Sequence, residues 1–251
     1  MYDGCVLAGK QHRIARQNQR PIINKNGRCK GETKDYVYVL FPYIDGVTPQ
    51  TTPLSVSQQK ELAELVGELH RHSSDIPFDL SSIQETYEIP CAELLNMPHG
   101  EIDGYDLLMR AIDKVHALAE NVKAAKPPFV LCHTDIHGWN IMQSDKLILI
   151  DWETIKLAPA ELDLYTFWGD WYLGGSKRVS YWDTFLPIYR RIHPEYVVRE
   201  EILRFYQLRR RIEDINDSYK QYLYDDMTEY ETRKVISDLE RECASLDVLM
   251  R

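Results

Sequence analysis

The run FVLCHTDIHGWNIMQSDKLILIDWE, residues Phe129 to Glu153, decides how the rest of the chain is read. It consists of two short apolar runs separated by a polar loop. Phe129, Val130 and Leu131 lead into the loop, and Lys146 to Ile150 leaves it as a buried-looking strand that stops at Asp151. A strand, a loop and a second strand bring four polar side chains close together: His133, Asp135, Asn140 and Asp151.

Those residue types suit one chemistry. Phosphoryl transfer from ATP needs a carboxylate to accept a hydroxyl proton and hard oxygen ligands to hold Mg2+ against the phosphates. Asp135 suits the first task, and Asn140 with Asp151 the second. The spacing H-x-D-x-x-x-x-N, followed by an Asp that ends an apolar strand, is that of a kinase catalytic loop. Any one of these residues alone reads as a surface carboxylate or a capping side chain; four at this spacing, between these apolar runs, read as a site.

The Asp-Phe-Gly of protein kinases is replaced by Asp151-Trp152-Glu153. HTDIHGWN, with a second His at His137, instead resembles the aminoglycoside phosphotransferase and choline kinase group of small-molecule kinases. LCHTDIHGWNIM followed by IDWETIKLAPAELDL is most similar to the spectinomycin phosphotransferase branch. The resemblance implies an α+β, protein kinase-like fold with a truncated small β lobe and a mostly helical large lobe. It also implies ATP and Mg2+ as cofactors, Asp135 as catalytic residue, Asn140 and Asp151 as metal ligands, and His133, His137 and Asp163 in support, with Asp163 bracing the loop from behind.

Composition narrows the partners. The chain has 251 residues, 44% of them hydrophobic, enough for one large or two-lobed domain. A net charge of −9 and a pI near 5.4 argue against nucleic acid or an anionic membrane and favour a cationic small substrate. No apolar stretch approaches the ~20 residues of a membrane span and no signal-like region opens the chain, so a cytoplasmic protein is expected. Cys5, Cys29, Cys91, Cys132 and Cys243 are odd in number and contain no CxxC, and they read as reduced thiols.

Residues 1–20 read as a loose or short helical start, and Pro21 to Lys30 as a strand turning at Asn26-Gly27. Tyr36 to Phe41 reads as a strand, and Leu40 to Gly46 then resembles the hinge that holds adenine by its backbone in the small-molecule kinases. Phe41 and Tyr43 are its candidate nucleotide contacts, because Pro42 has no N–H to give. A helix capped by Ser55 or Ser57 runs to His72 with Leu62, Leu65, Val66 and Leu69 inward; His70 and His72 read as ordinary helix-end residues. A second helix spans Tyr105 to Lys123. Trp152 to Pro159 reads as a loop, and the run ELDLYTFWGDWY after it as a helix. Three further helical stretches follow: one beginning at Tyr181, one from Tyr196 to Tyr224 and one from Met227 to Met250. Glu213, Asp214 and Asp217 lie on adjacent turns and read either as a solvated face or as the lining of a pocket for ammonium groups.

Before the hinge the sequence offers only Lys10, Lys25, Lys30 and Lys34, the sole Glu is Glu32, and no G-x-G-x-x-G occurs. The expected organisation is therefore a residual small lobe and hinge over residues 1–46 and a helical large lobe over 47–251, with the front of the small lobe absent. An exposed hinge strand would then either pair two chains into a homodimer or be covered by residues 1–20 folding back over it. Two functions follow. One is an ATP-dependent O-phosphotransferase of a small hydroxylated, cationic molecule such as an aminocyclitol antibiotic; the other is a weak or inactive kinase-like protein that binds a ligand or partner.

Overall fold

A computed structural model describes residues 21–76, 79–169, 171–172 and 178–250. The reading of residues 1–20 lies outside them. The chain forms two compact units, one comprising the chain up to Glu85 together with Pro128–Val197, the other Thr86–Pro127 together with Val198–Arg251.

In the first unit the Asn24 carboxamide accepts from the N–H groups of Asn26 and Arg28, at 2.9 and 3.0 Å, which closes a turn with Gly27 at φ 75°. Strand β1 (Lys30–Glu32) then pairs antiparallel with β2 (Val37–Val39). The predicted strands are cut short. Residues 21–24 carry no strand, although Ile22 N–H donates to Leu40 O at 2.7 Å, and only three residues of Tyr36–Phe41 enter a ladder. Strand propensity needs a face to bury, and Tyr36 to Phe41 are exposed throughout.

Helix α1 (Val56–Arg71) starts where expected. Ser55 Oγ accepts from Gln58 N–H while the Gln58 side chain accepts from Ser55 N–H, so two orphan donors of the first turn are satisfied reciprocally. Its stripe of Leu62, Leu65, Val66 and Leu69 is buried.

Strands β3 (Phe129–Cys132), β4 (Ile141–Gln143), β5 (Leu147–Leu149) and β6 (Lys156–Pro159) follow. β4 and β5 form a hairpin, and β3 pairs antiparallel with β6 so that Cys132 faces Lys156. Residues 156–159, read as loop, are thus a strand, because β3 supplies backbone partners that lie 27 residues or so away in sequence. Helix α3 (Glu161–Trp168) ends at Gly169, short of the predicted Tyr172. Glycine is a poor helix former, and Trp171–Tyr172 (β7) pairs instead with Arg178–Val179 (β8).

Helix α4 (Trp182–Ile192) packs on α1 at Gly67, where an added Cβ would lie 2.7 Å from Ile192 Cδ1. Phe167 stacks on Phe185 at 4.0 Å between ring centres, and Phe185 in turn on Tyr189 at 5.8 Å.

The second unit is helical. α2 (Tyr105–Ala125) buries Leu108, Ile112, Val115, Ala119 and Val122, and α5 (Glu200–Tyr224) and α6 (Glu229–Leu249) complete its core. Both later helices begin a few residues after the predicted Tyr196 and Met227. Thr228 fixes the start of α6 through a capping box with Glu231. Arg211, buried on α5, pairs with Glu242 of α6.

Among the described residues no helix is long and apolar enough to cross a membrane. Cys91, Cys132 and Cys243 are buried free thiols, but Cys29 is disulfide-bonded, which corrects the reading of all five cysteines as reduced.

Candidate active site

The loop from His133 to Asn140 leaves β3 and enters β4, and a left-handed residue stands in it and another just after β5. Thr134 has φ 76° and Asp151 φ 65°, conformations that cost a non-glycine residue on the order of 1–3 kcal/mol and persist only where neighbours impose them. Around Thr134 the constraint is Asp163 of α3. Its carboxylate accepts from His133 N–H at 2.9 Å and from Thr134 N–H at 2.7 Å, and the Thr134 hydroxyl donates to Thr154 O at 3.0 Å.

His133 is buried and links the two ends of the site. Its Nε2 lies 2.9 Å from Ile150 O, and its Nδ1 accepts the Asp135 N–H at 3.4 Å, which assigns the proton to Nε2. Burial holds its pKa below the ordinary 6.5, against the opposing pull of Asp163. Its ring stands edge-on to Trp152, 4.6 Å between centres, and Trp152 Nε1 donates to Leu149 O. The residue that precedes Asp151 is thereby fixed twice, since Ile150 N–H also donates to Asn140 O at 3.0 Å.

At the centre Asn140 Nδ2 donates to the Asp135 carbonyl at 3.0 Å and to Asp135 Oδ2 at 2.9 Å. His137 Nε2 is 3.3 Å from the same oxygen, while His137 Nδ1 accepts from Trp139 N–H at 3.1 Å. The Asn140 amide is therefore oriented with its nitrogen on Asp135, and its Oδ1 is the atom it can offer to a cation. Gly138 is required by a close approach: a Cβ there would sit 1.9 Å from Gln50 O, and Gln50 N–H donates to Gly138 O at 2.9 Å. Val47 and Gln143 exchange two backbone hydrogen bonds in the same region, so the segment after the hinge is stitched to both the loop and β4.

His133, Asp135, His137 and Asn140 thus share one hydrogen-bonded loop, Asp151 follows the doubly held Ile150, and Asp163 lies behind. Phe41 and Tyr43 are exposed, ahead of the Val47 bridge. Glu213, Asp214 and Asp217 belong to the other unit. There Asp214 pairs with Arg210 at 2.9 Å and Asp217 with Lys220 at 3.2 Å, both along their own helix.

One residue was missed. His70 is not an ordinary helix-end side chain but fully buried, with Nε2 3.0 Å from Asp163 Oδ2 and Nδ1 2.8 Å from Tyr189 OH. Its place four residues after Val66 on the inward stripe was the available signal. His72, by contrast, bonds Asp75 and Glu68 near the surface.

Residues 20–195 match the model of the phosphotransferase enzyme family, APH. The chain belongs to this family. No match was found among curated proteins. Solved structures share the fold of this phosphotransferase family member at low identity. Spectinomycin phosphotransferase APH(9)-Ia in complex with ADP and spectinomycin is 20% identical, with a TM-score of 0.62 over 92% of this chain and 78% of that one. The AMP-bound form of the same enzyme is 19% identical with a TM-score of 0.68, covering 100% and 84%. A choline/ethanolamine kinase family protein from Mesorhizobium loti is 14% identical, at TM-score 0.57 over 92% and 73%.

Proposed function

We propose that this chain transfers a phosphoryl group from ATP to a hydroxyl of a small cationic acceptor, an aminocyclitol such as spectinomycin being the first to try. The observation that carries the reading is the geometry at Asp135. One carboxylate oxygen is held by Asn140 and faced by His137, on a loop whose strained backbone is clamped from behind. Such a carboxylate is oriented before the substrate arrives, and it receives the acceptor's proton as the hydroxyl attacks. The family match and the ADP- and AMP-bound structures of a similar fold support nucleotide use.

Asn140, whose Oδ1 is left to a cation, and Asp151, whose carboxylate is exposed, offer the hard oxygens that would hold Mg2+, and that ion when bound would neutralise charge on the phosphates. Phe41 and Tyr43 would meet the adenine. The net charge of −9 favours a cationic acceptor, whose attraction weakens as salt shortens a screening length already ~8 Å at physiological strength. Glu213, Asp214 and Asp217 remain candidate contacts for its ammonium groups. The expected setting is cytoplasmic, with no nucleic acid or membrane as partner.

The test is incubation with ATP and Mg2+ across a panel of aminocyclitols, aminoglycosides, choline and ethanolamine, with detection of the phosphorylated product. Transfer to a cationic member, weakened by added salt, is the expected result. No transfer to any member, together with binding that ignores Mg2+, would favour a non-catalytic ligand-binding protein instead.

A further inference from the structure

We infer that His70, outside the loop and remote from it in sequence, is a positioning residue that sets the conformation of the catalytic loop through the carboxylate of Asp163. The inference rests on the phosphotransferase reading above for its kinetic consequence, but its structural consequence stands without it.

The Asp163 side chain is fully shielded from solvent, so its oxygens need protein donors in place of water. It has three. Oδ1 takes Thr134 N–H; Oδ2 takes both His133 N–H and His70 Nε2. The two backbone donors belong to the loop that must be held, and so cannot hold the carboxylate independently of it. Among the described residues His70 is the donor that comes from elsewhere. By engaging Oδ2 it fixes the rotation of the carboxylate, which aims Oδ1 at the amide of left-handed Thr134, one residue before Asp135. The second imidazole nitrogen is fixed in turn by Tyr189 OH at 2.8 Å, and the Tyr189 ring is stacked between Phe185 and His193. A chain of three side chains therefore runs from α4 through α1 to the turn that presents Asp135.

The same residues could be taken for a metal centre, because ligand atoms of His70, Cys132 and Asp163 lie within 4.8 Å of one another. Their bonds argue otherwise. Both His70 nitrogens are engaged, and the Cys132 sulfur lies 3.4 Å from Pro159 O, where its thiol donates. Burial, with Asp163 and Glu161 close by, keeps that thiol protonated, the opposite of what a metal ligand requires. The arrangement is a closed hydrogen-bonded brace.

Two substitutions separate positioning from bulk support. His70→Leu fills the space without a donor, whereas His70→Gln can place an amide N–H where Nε2 was. In His70→Leu, hydrogen exchange at the His133 and Thr134 amides should rise about 10- to 100-fold, the range for losing one hydrogen bond to a charged group, while exchange in α5 and α6 stays the same. kcat should fall by a similar factor with the KM for ATP within about twofold, and His70→Gln should restore both readouts to within about threefold. Should His70→Leu not fold, His70→Asn takes its place, since its amide is too short to reach Asp163. The inference is overturned if the two amides exchange as in the native protein. It is equally overturned if Gln behaves like Leu, or if exchange rises evenly through the whole unit. A native protein with no turnover would refute the phosphotransferase reading alone, and the exchange comparison would still decide the role of His70.

Discussion

Asn140 donates through one amide nitrogen to both the backbone carbonyl and the side-chain carboxylate of Asp135, at 3.0 and 2.9 Å. One side chain thereby couples the proposed base to the proposed metal ligand set. Asn140→Asp keeps the shape but replaces a donor with a second carboxylate at hydrogen-bond distance from Asp135. Like charges that close raise the pKa of one partner. Turnover should fall by at least ~10²-fold, a loss of the order seen when one electrostatic element of a site is removed, and the acid limb of the pH–rate profile should move to higher pH. An unchanged profile would show that the two side chains do not act together.

Gly138→Ala tests the seam between the post-hinge segment and the loop. The new Cβ would meet the Gln50 backbone at 1.9 Å, and backbone on both sides leaves no flexible side chain to give way. A destabilisation of ~1–3 kcal/mol or more is expected, read as a lowered thermal midpoint, together with reduced turnover. A variant as stable as the native chain would mean that the seam yields without cost.

Acid should weaken the fold through two buried histidines. Burial holds the pKa of His133 below 6.5, and also that of His193, whose Nε2 lies 2.8 Å from Gly67 O. The unfolded chain therefore takes up these protons first as pH falls. Their contribution to stability is complete above pH ~6.5 and declines below it, by at most ~1.4 kcal/mol per pH unit for each group. Thermal midpoints should be level from pH 8 to 7 and drop from 6.5 to 5. A midpoint that rises over that lower window would contradict the assignment.

Much of this site was legible because it is local. His133, Asp135, Asn140 and Asp151 stand at a fixed spacing within one strand-loop-strand, and the helix start reads as a serine cap, Ser55 or Ser57, of which Ser55 is the one that caps. What escaped the sequence depends on distant partners. Lys156–Pro159, read as loop, becomes a strand only because Phe129–Cys132 lies beside it. His70 matters only because Asp163 and Tyr189 close on it from α3 and α4. Tyr36–Phe41 reads as a strand short of neighbours; its side chains are exposed, and only Val37–Val39 enters a ladder.

That exposed strand motivates a proposal about association. Val37, Val39 and Phe41 on one face and Tyr36, Tyr38 and Leu40 on the other are all exposed, an arrangement that pairs readily with a second copy. Sedimentation should show a concentration-dependent dimer, and Val39→Lys should shift it to monomer. A native protein that stays monomeric at high concentration would remove the proposal.

The central claim is that Asp135 receives the acceptor proton during phosphoryl transfer from ATP. It is tested most directly by following labelled phosphate from ATP onto the acceptor hydroxyl, at saturating MgATP, in the native chain and in Asp135→Asn. Asn keeps the side chain's size but cannot take a proton, so the rate should fall by ~10²–10⁴-fold while nucleotide affinity is retained. Transfer at the native rate by Asp135→Asn would contradict the account.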